Sequence, residues 1–387
     1  MFKLCIITTQ DSSIKNWFEP IFNIYKNDKF KVTFVTKFSQ SYFDYLKKTY
    51  PEFCFINCPF PRGTNIRSTI KSIKFLKILF KKEKFDLVEY HTPNASFCAS
   101  IAAKKTKIKN RLYGQWGLRF VSFGGIKRFF FKLIEKITCS KSTIVHAQSN
   151  KNMEININQK ICNKNKISVL GIGGTIGVDF HIFDYSKRAE FRHEIRSKYN
   201  IASDEFVYGF IGRIHRDKGV DNLVEAFKEI KGSKLVVVGD QDKNYPILPK
   251  NMKYLRDSEN IILINRVERE DVAKFLASFD LFVYPTYREG FGHILQEAMT
   301  MGTPVLTSDV PGPSEVVENN VSGLLIDPKN KNEIVSKMLY LKNNKKLLDS
   351  FSLNGRERAV KYFETSVMVS YIKEDYEKIF GVKIYGC

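Results

Sequence analysis

At 387 residues, 43% of them hydrophobic, the chain is long enough to bury two cores, and two domains are expected. No apolar run reaches the length of a membrane-spanning helix. The seven cysteines, odd in number and never in C-x-x-C spacing, suggest neither a zinc site nor a disulfide framework and suit a reducing cytoplasm. The net charge of +21 is unevenly held: residues 1–185 carry 31 Lys and Arg against 12 Asp and Glu, residues 186–387 carry 31 against 29, so an anionic partner is sought by the first half.

In chain order, strand and helix signals alternate. The N-terminal run has one charge and a short apolar stretch, which reads as a first strand (Lys3–Thr9) rather than a signal peptide. A helix over Trp17–Tyr25 follows, then a strand Lys31–Thr36, a helix Tyr42–Lys48 and a strand Phe53–Asn57. Ile66–Lys82 has apolar residues at helical period with lysines filling much of the rest. Asp86–Tyr90 is a buried-type strand ending in His91-Thr-Pro-Asn94, followed by a small-residue helix (Ala95–Ala103) and a strand Arg111–Gly114. Ile126–Ile137 is basic and aromatic, and Ser142–Ala147 and Lys166–Leu170 close the first half as strands. A glycine-rich segment, Gly171–Asp179, leads into the polar stretch Asp184–Ser203, the most linker-like part of the chain. A second β–α series starts at Glu205–Ile211, and Asn354–Phe363 and Thr365–Phe380 read as terminal helices. Repeated β–α units imply parallel sheets with helices on both faces.

Two motifs carry chemistry. In Phe210-Ile-Gly-Arg-Ile-His-Arg-Asp-Lys-Gly219, Gly212 permits a tight turn off a strand, and Arg213 and Lys218 bring two cations to its tip. With a helix starting near Gly219, that tip suits a diphosphate, Arg acting through its planar fork and Lys as a point charge. In the second motif, a buried strand (Asp280–Tyr284) runs into Glu289-Gly-Phe-Gly-His293 and then an amphipathic run ended by Gly302-Thr-Pro. Glu289 and Glu297, with seven residues between them, can face one crevice at a strand's carboxyl end. Gly290 and Gly292 let backbone approach a ligand, and the helix N-terminus behind them suits a phosphate.

The pattern E-G-F-G-x4-E-A-M-x-x-G-x-P-V, joined to G-R-x4-K-G, resembles family 4 retaining glycosyltransferases of glycosyltransferase group 1, and specifically those of bacterial surface-polysaccharide synthesis. The resemblance covers the second half closely and the whole chain loosely. It implies an α/β, GT-B fold: two doubly wound Rossmann-like domains facing across a cleft. Residues 1–185 would form the acceptor-side domain, 186–364 the nucleotide-sugar domain, and 365–387 a helix crossing back. It further implies that Arg213 and Lys218 neutralise the departing nucleoside diphosphate, aided by backbone amides near Gly292 and His293. Glu289 would meet sugar hydroxyls and Glu297 the ribose hydroxyls, with Gly290 and Phe291 beside them. Arg266 and Val267 would grip the base. No D-x-D motif stands in a suitable loop, so neither a metal nor a cofactor is expected.

On the acceptor side, relatives show an H-x-T-P-K-like segment and a later H-G loop. Here the first is His91-Thr-Pro-Asn94, and Gln115 of Gly114-Gln-Trp-Gly117 stands where the second histidine would be. His91 is an acceptor-side candidate or a strand-end histidine. Asp11 is an acceptor contact or the N-cap of the first helix. The expected activity is transfer of a sugar from a nucleotide sugar, UDP-linked by preference, with retention. The acceptor would be a glycan or a lipid-diphosphate-linked glycan, in capsule, O-antigen or exopolysaccharide synthesis. The lysine-studded Ile66–Lys82 and the basic, aromatic Ile126–Ile137 suit a peripheral protein at the inner face of the membrane, drawn to anionic lipid. The rival readings are a nucleotide-sugar 2-epimerase of the same fold and a nucleic-acid-binding protein. No recognisable nucleic-acid motif accompanies the charge.

Overall fold

Strands joined through helical crossovers must run parallel, because each helix returns the chain to the end of the sheet where it started. The computed structural model, which describes residues 1–61, 63, 65–243 and 245–385, follows this rule. Among the described residues the strands form two all-parallel sheets. The first contains β1 (Phe2–Ile7), β2 (Phe30–Thr36), β3 (Cys54–Asn57), β4 (Leu87–His91), β5 (Asn110–Gln115), β6 (Ile144–Ala147) and β7 (Ile167–Ser168), ordered β3-β2-β1-β4-β5-β6-β7. The second contains β8 (Val207–Ile211), β9 (Lys234–Val238), β10 (Ile261–Ile264), β11 (Leu281–Tyr284), β12 (Val305–Ser308) and β13 (Leu324–Ile326), ordered β10-β9-β8-β11-β12-β13. The chain divides into two compact units, Met1–Ile176 with Met368–Cys387, and Gly177–Val367. No helix among the described residues is long and apolar enough to cross a membrane.

In the first unit the pleat sends alternate residues to opposite faces. Leu4 and Ile6 join a core with Phe22, Phe34 and Phe55, while Cys5 and Ile7 join another with Leu76, Phe80 and Ala99. The C-terminal helix (Thr365–Phe380) completes the first of these cores. Phe380 stacks on Phe2 at 4.3 Å, and the Tyr376 hydroxyl donates to the buried Glu89 at 2.6 Å.

The structure departs from the sequence expectations in three places. In place of one helix over Trp17–Tyr25 there is an α-helix Asp11–Trp17 and then a 3₁₀ segment Glu19–Ile24. Pro20 lacks an amide hydrogen, so it can open a helix but cannot continue one. The linker-like stretch contains a helix, Arg188–Lys198, whose Arg192 and Arg196 each donate to Asp280 at 2.7 Å. In a stretch that reads as a solvated linker, two of its charges serve one partly buried carboxylate. The division between units lies at Ile176–Gly177, inside the glycine-rich segment and before Tyr185.

Candidate functional site

In an open parallel sheet, ligands bind outside the carboxyl ends of the strands where the strand order reverses. In the second unit that point lies between β8 and β11, neighbours in the sheet though distant in sequence. The loops leaving these two strands carry the two motifs, Gly212–Gly219 and Pro285–Gly292. They are pinned together: Tyr287 donates its amide to the Asp217 carbonyl at 2.8 Å, and the Thr286 hydroxyl donates to the same oxygen at 3.0 Å. Gly219, at φ +70°, lies so close that a Cβ there would overlap the Pro285 carbonyl oxygen.

Lys218 and Glu289 meet here as a short ion pair through Nζ and Oε2. The Tyr284 hydroxyl donates to the same Oε2 at 2.9 Å, and the Gly290 amide donates to Oε1 at 3.2 Å. Burial opposes ionisation of Glu289, but the Lys218 ammonium, the Tyr284 hydroxyl and the Gly290 amide outweigh it and hold the carboxyl below its ordinary range. Arg213 differs. Its side chain is 63% exposed, and Nη1 reaches Asp242 Oδ2 at 2.8 Å. One cation is therefore fixed within the site and the other is tethered at its mouth.

Gly292, at φ +109°, caps the helix His293–Thr300, and Phe291 before it is buried. His293 Nε2 lies 3.2 Å from Arg269 Nη2, and Nδ1 lies 3.0 Å from Gln296 Oε1. A guanidinium can only donate, so Nε2 accepts and the hydrogen assigned to Nδ1 goes to Gln296. Burial first, and then the Arg269 cation, push the His293 pKa down to about 3, so the ring is neutral. Its 3.4 Å approach to Glu297 Oε1 is therefore no ion pair. Glu297, only 7% exposed, is pushed up to about 7 by burial, although Arg269 Nη2 stands 3.4 Å from Oε1. Arg269 was not legible as a site residue: its signal is a packing relation with a helix that begins 24 positions later.

Arg266 and Val267 lie at the carboxyl end of β10, where they line a pocket of about 380 Å³ with Gly212 and Arg213. The Arg266 amide donates to Asp240 Oδ1 at 3.0 Å. Asp240-Gln-Asp242 is a D-x-D after all, on the loop after β9, and it lines the same pocket, where its two carboxylates hold the Arg266 amide and the Arg213 guanidinium. Gly239 makes this floor possible, since a Cβ there would overlap the Gly212 carbonyl. The structure thus gathers Gly212, Arg213, Lys218, Arg266, Val267, Glu289, Gly290, Phe291, Gly292, His293 and Glu297 around the carboxyl ends of β8, β10 and β11.

In the first unit the order reverses between β1 and β4, whose carboxyl ends lead to Asp11 and His91. Asp11 sits in the first helical turn, one position after the N-cap Gln10. Its carboxylate accepts from the Ser39 amide at 2.8 Å and the Ser39 hydroxyl at 2.7 Å. It is therefore not the N-cap. His91 is buried, with Nε2 at 2.7 Å from Glu89 Oε1 and its ring packed on Gly114 and Trp116. Burial opposes the Glu89 charge, yet His91 and Tyr376 keep its pKa low. Gln115, 1% exposed, has both amide atoms engaged: Nε2 donates to Glu135 at 2.6 Å, and Oε1 accepts from Asn156 at 2.7 Å. Its amide is spent inside the layer between sheet and helix.

Residues 191–358 match the family model "Glycosyl transferases group 1", and residues 19–149 match "Glycosyl transferase 4-like". A capsular polysaccharide biosynthesis glycosyltransferase, CapM of Staphylococcus aureus, is 33% identical over 82% of this chain and 83% of its own. The UDP-Gal:alpha-D-GlcNAc-diphosphoundecaprenol alpha-1,3-galactosyltransferase of Escherichia coli is 25% identical over 92% of this chain and 91% of its own. Sucrose-phosphate synthase from Thermosynechococcus elongatus superposes with a TM-score of 0.79 at 17% identity, covering 98% of this chain and 100% of that one. This likeness shows the GT-B fold. With two cations and two carboxylates gathered where its second sheet reverses order, the chain belongs to the group 1 glycosyltransferases.

Proposed function

We propose that the chain transfers a sugar from a UDP-sugar to a glycan carried on a lipid diphosphate, with retention of configuration and without a metal ion, during bacterial surface-polysaccharide assembly. The observation that carries this reading is the Lys218–Glu289 pair, locked by Tyr284 between the two loops of the switch point, with Arg213 beside it. Breaking the sugar–phosphate bond leaves the electron pair on a phosphate oxygen and positive charge on the sugar. A fixed ammonium and an exposed guanidinium stabilise the departing diphosphate, which is the work a metal does elsewhere. Glu289, kept ionised, faces the sugar. Glu297 takes the ribose hydroxyls, and the pocket at Arg266 and Val267 takes the base. The lipid-linked acceptor and the uridine donor follow the name of the Escherichia coli relative.

The test is thermal stabilisation by a panel of nucleotides and nucleotide sugars with chelator present. A ligand bound only by the folded state raises the melting temperature. UDP or a UDP-sugar should shift the wild type, and Arg213→Ala and Glu297→Ala should erase the shift. If nothing shifts at millimolar ligand, the donor reading is abandoned. Conversion of a UDP-sugar to its isomer with no acceptor present would favour an epimerase instead.

A further inference from the structure

The face of the first sheet covered by Ile66–Glu83, Pro93–Lys105 and Gly125–Lys141 holds a groove of about 660 Å³ that the glycosyl-transfer site does not use. Its floor is the outer side of Pro93–Lys105, where Phe97 and Ile101 recur at helical spacing. The sheet-facing side of that helix is built of small residues such as Ala95, Ala99 and Ala103, all fully buried. The flanking helices supply the walls, Ile70 and Ile73 on one side and Phe131 and Ile134 on the other. The groove follows a helix of 13 residues, so it extends roughly 20 Å. One end lies at Pro93 and Asn94, just beyond the carboxyl end of β4 and His91.

Two features say what covers it. Ile66, Ile70, Phe130 and Leu133 are exposed around an apolar trough, an arrangement that marks a binding surface rather than scattered surface residues. The charged part of the rim is cationic: Lys74, Lys77, Lys105 and Arg119, with no carboxylate among the described lining residues. None of these three lysines has an ion-pair partner among the described residues. The Arg119 guanidinium stands over the Phe131 ring, 4.4 Å from its centre, and so keeps its charge beside the apolar wall. An apolar trough of ligand-pocket size with an unneutralised basic rim matches a single amphiphile, one long hydrocarbon chain ending in an anionic phosphate.

We infer that this groove seats the hydrocarbon chain of the acceptor's carrier lipid, with the basic rim at its phosphates; the identity of that lipid rests on the lipid-linked acceptor proposed above. The groove then holds the carrier by its tail. The probe is farnesyl diphosphate, titrated calorimetrically against inorganic diphosphate and farnesol. Wild type should bind farnesyl diphosphate at least about tenfold more tightly than either fragment, because only it fills both trough and rim. Leu133→Asp and Ile70→Asp, both at exposed positions, should each weaken it about tenfold or more. The Lys74→Gln/Lys77→Gln double variant should do the same while leaving the UDP-induced thermal shift intact.

Three results overturn the inference. Binding untouched by Leu133→Asp but abolished by Lys218→Ala is diphosphate capture at the donor site. Absence of farnesyl diphosphate binding, with Leu133→Asp blocking attachment to anionic vesicles, makes a bilayer surface the occupant. A concentration-dependent dimer that Leu133→Asp dissociates, with no farnesyl diphosphate binding, makes a second copy the occupant. Failure of the proposed donor shows separately, as loss of the wild-type UDP shift.

Discussion

At the scale of single residues, the two cations of the proposed donor site sit in different environments, so removing them has different consequences. Lys218 and Glu289 are largely shielded, and deleting the ammonium leaves a carboxylate with no counter-ion in a low-dielectric place. Lys218→Met should therefore lower the unfolding free energy by about 3 kcal/mol. Arg213→Met, at an exposed pair, should cost under about 1 kcal/mol. Both should lower kcat/KM by about a hundredfold or more. Urea unfolding beside steady-state kinetics separates the two, and equal stability losses would contradict the assigned burial. Glu297 gives a pH signature. Its folded pKa, about 7, stands above the ordinary carboxyl value, so it stabilises the ligand-free fold fully below about pH 4.5. That contribution is lost as pH rises through 7 and amounts to about 3 kcal/mol. His293 works in the opposite sense: its depressed pKa adds stability above about pH 6.5 that is lost as pH falls toward 3. Glu297→Gln should remove only the first effect, so the difference in unfolding free energy between wild type and variant should run from pH 5 to pH 8 with the Glu297 sign. A flat difference would show that Glu297 titrates normally. The glutamate pair and both cations were legible because each motif is contiguous in sequence. Arg269 was not, because helix docking brings it in, and Asp240-Gln-Asp242, though contiguous, is placed at the site only by the end of a neighbouring strand.

At the scale of elements, the site depends on two loops that can meet only through glycine. Gly219 combines a left-handed backbone with contact against the Pro285 carbonyl, whereas Gly232, also left-handed at φ +61°, faces nearly open space. Gly232→Ala should cost about 1 kcal/mol, the strain of the conformation alone. Gly219→Ala should cost more than twice that, and it should also weaken UDP binding by moving Lys218. If the two substitutions match in denaturant, the loops are not locked as described. The helix Arg188–Lys198 raises a similar question about anchoring. Asp280 accepts from Arg192, Arg196 and the Val207 amide, which ties that helix to β8 and to the approach to β11. Asp280→Ala leaves the buried Arg196 guanidinium without its carboxylate and should cost about 3 kcal/mol. Amide exchange should speed up across residues 188–198, and protection unchanged there would count against the anchor. This helix shows why periodic strands were readable and a charged segment was not. Apolar period reports burial directly, but a charge reports only that a partner or water is needed, and the partner here lies more than eighty residues away.

At the scale of the molecule, the division of the chain sharpens the charge asymmetry. Counted by unit, Met1–Ile176 with Met368–Cys387 carries 34 Lys and Arg against 13 Asp and Glu, and Gly177–Val367 carries 28 against 28. The entire +21 therefore belongs to one unit, and the unit with the proposed donor site is neutral. A composition-wide lysine excess would have loaded both units alike, so the charge answers to something the first unit meets. An anionic membrane surface fits, because exposed Ile78, Ile126 and Phe129 accompany the lysines. Lys81 and Lys82 lie on the exposed end of Ile66–Glu83, outside the groove, and each lysine near such a surface contributes on the order of 1 kcal/mol. Lys81→Gln/Lys82→Gln should thus lower partitioning onto vesicles rich in anionic lipid by about thirtyfold. Neutral vesicles should hold little of either protein, and raising the salt from 50 to 200 mM should release the wild type. The UDP thermal shift should not move, since the residues proposed for that site all lie in the neutral unit. If duplex DNA strips the wild type from anionic vesicles and binds it with a steeper salt dependence than the vesicles do, the basic unit is a nucleic-acid surface and the membrane reading falls.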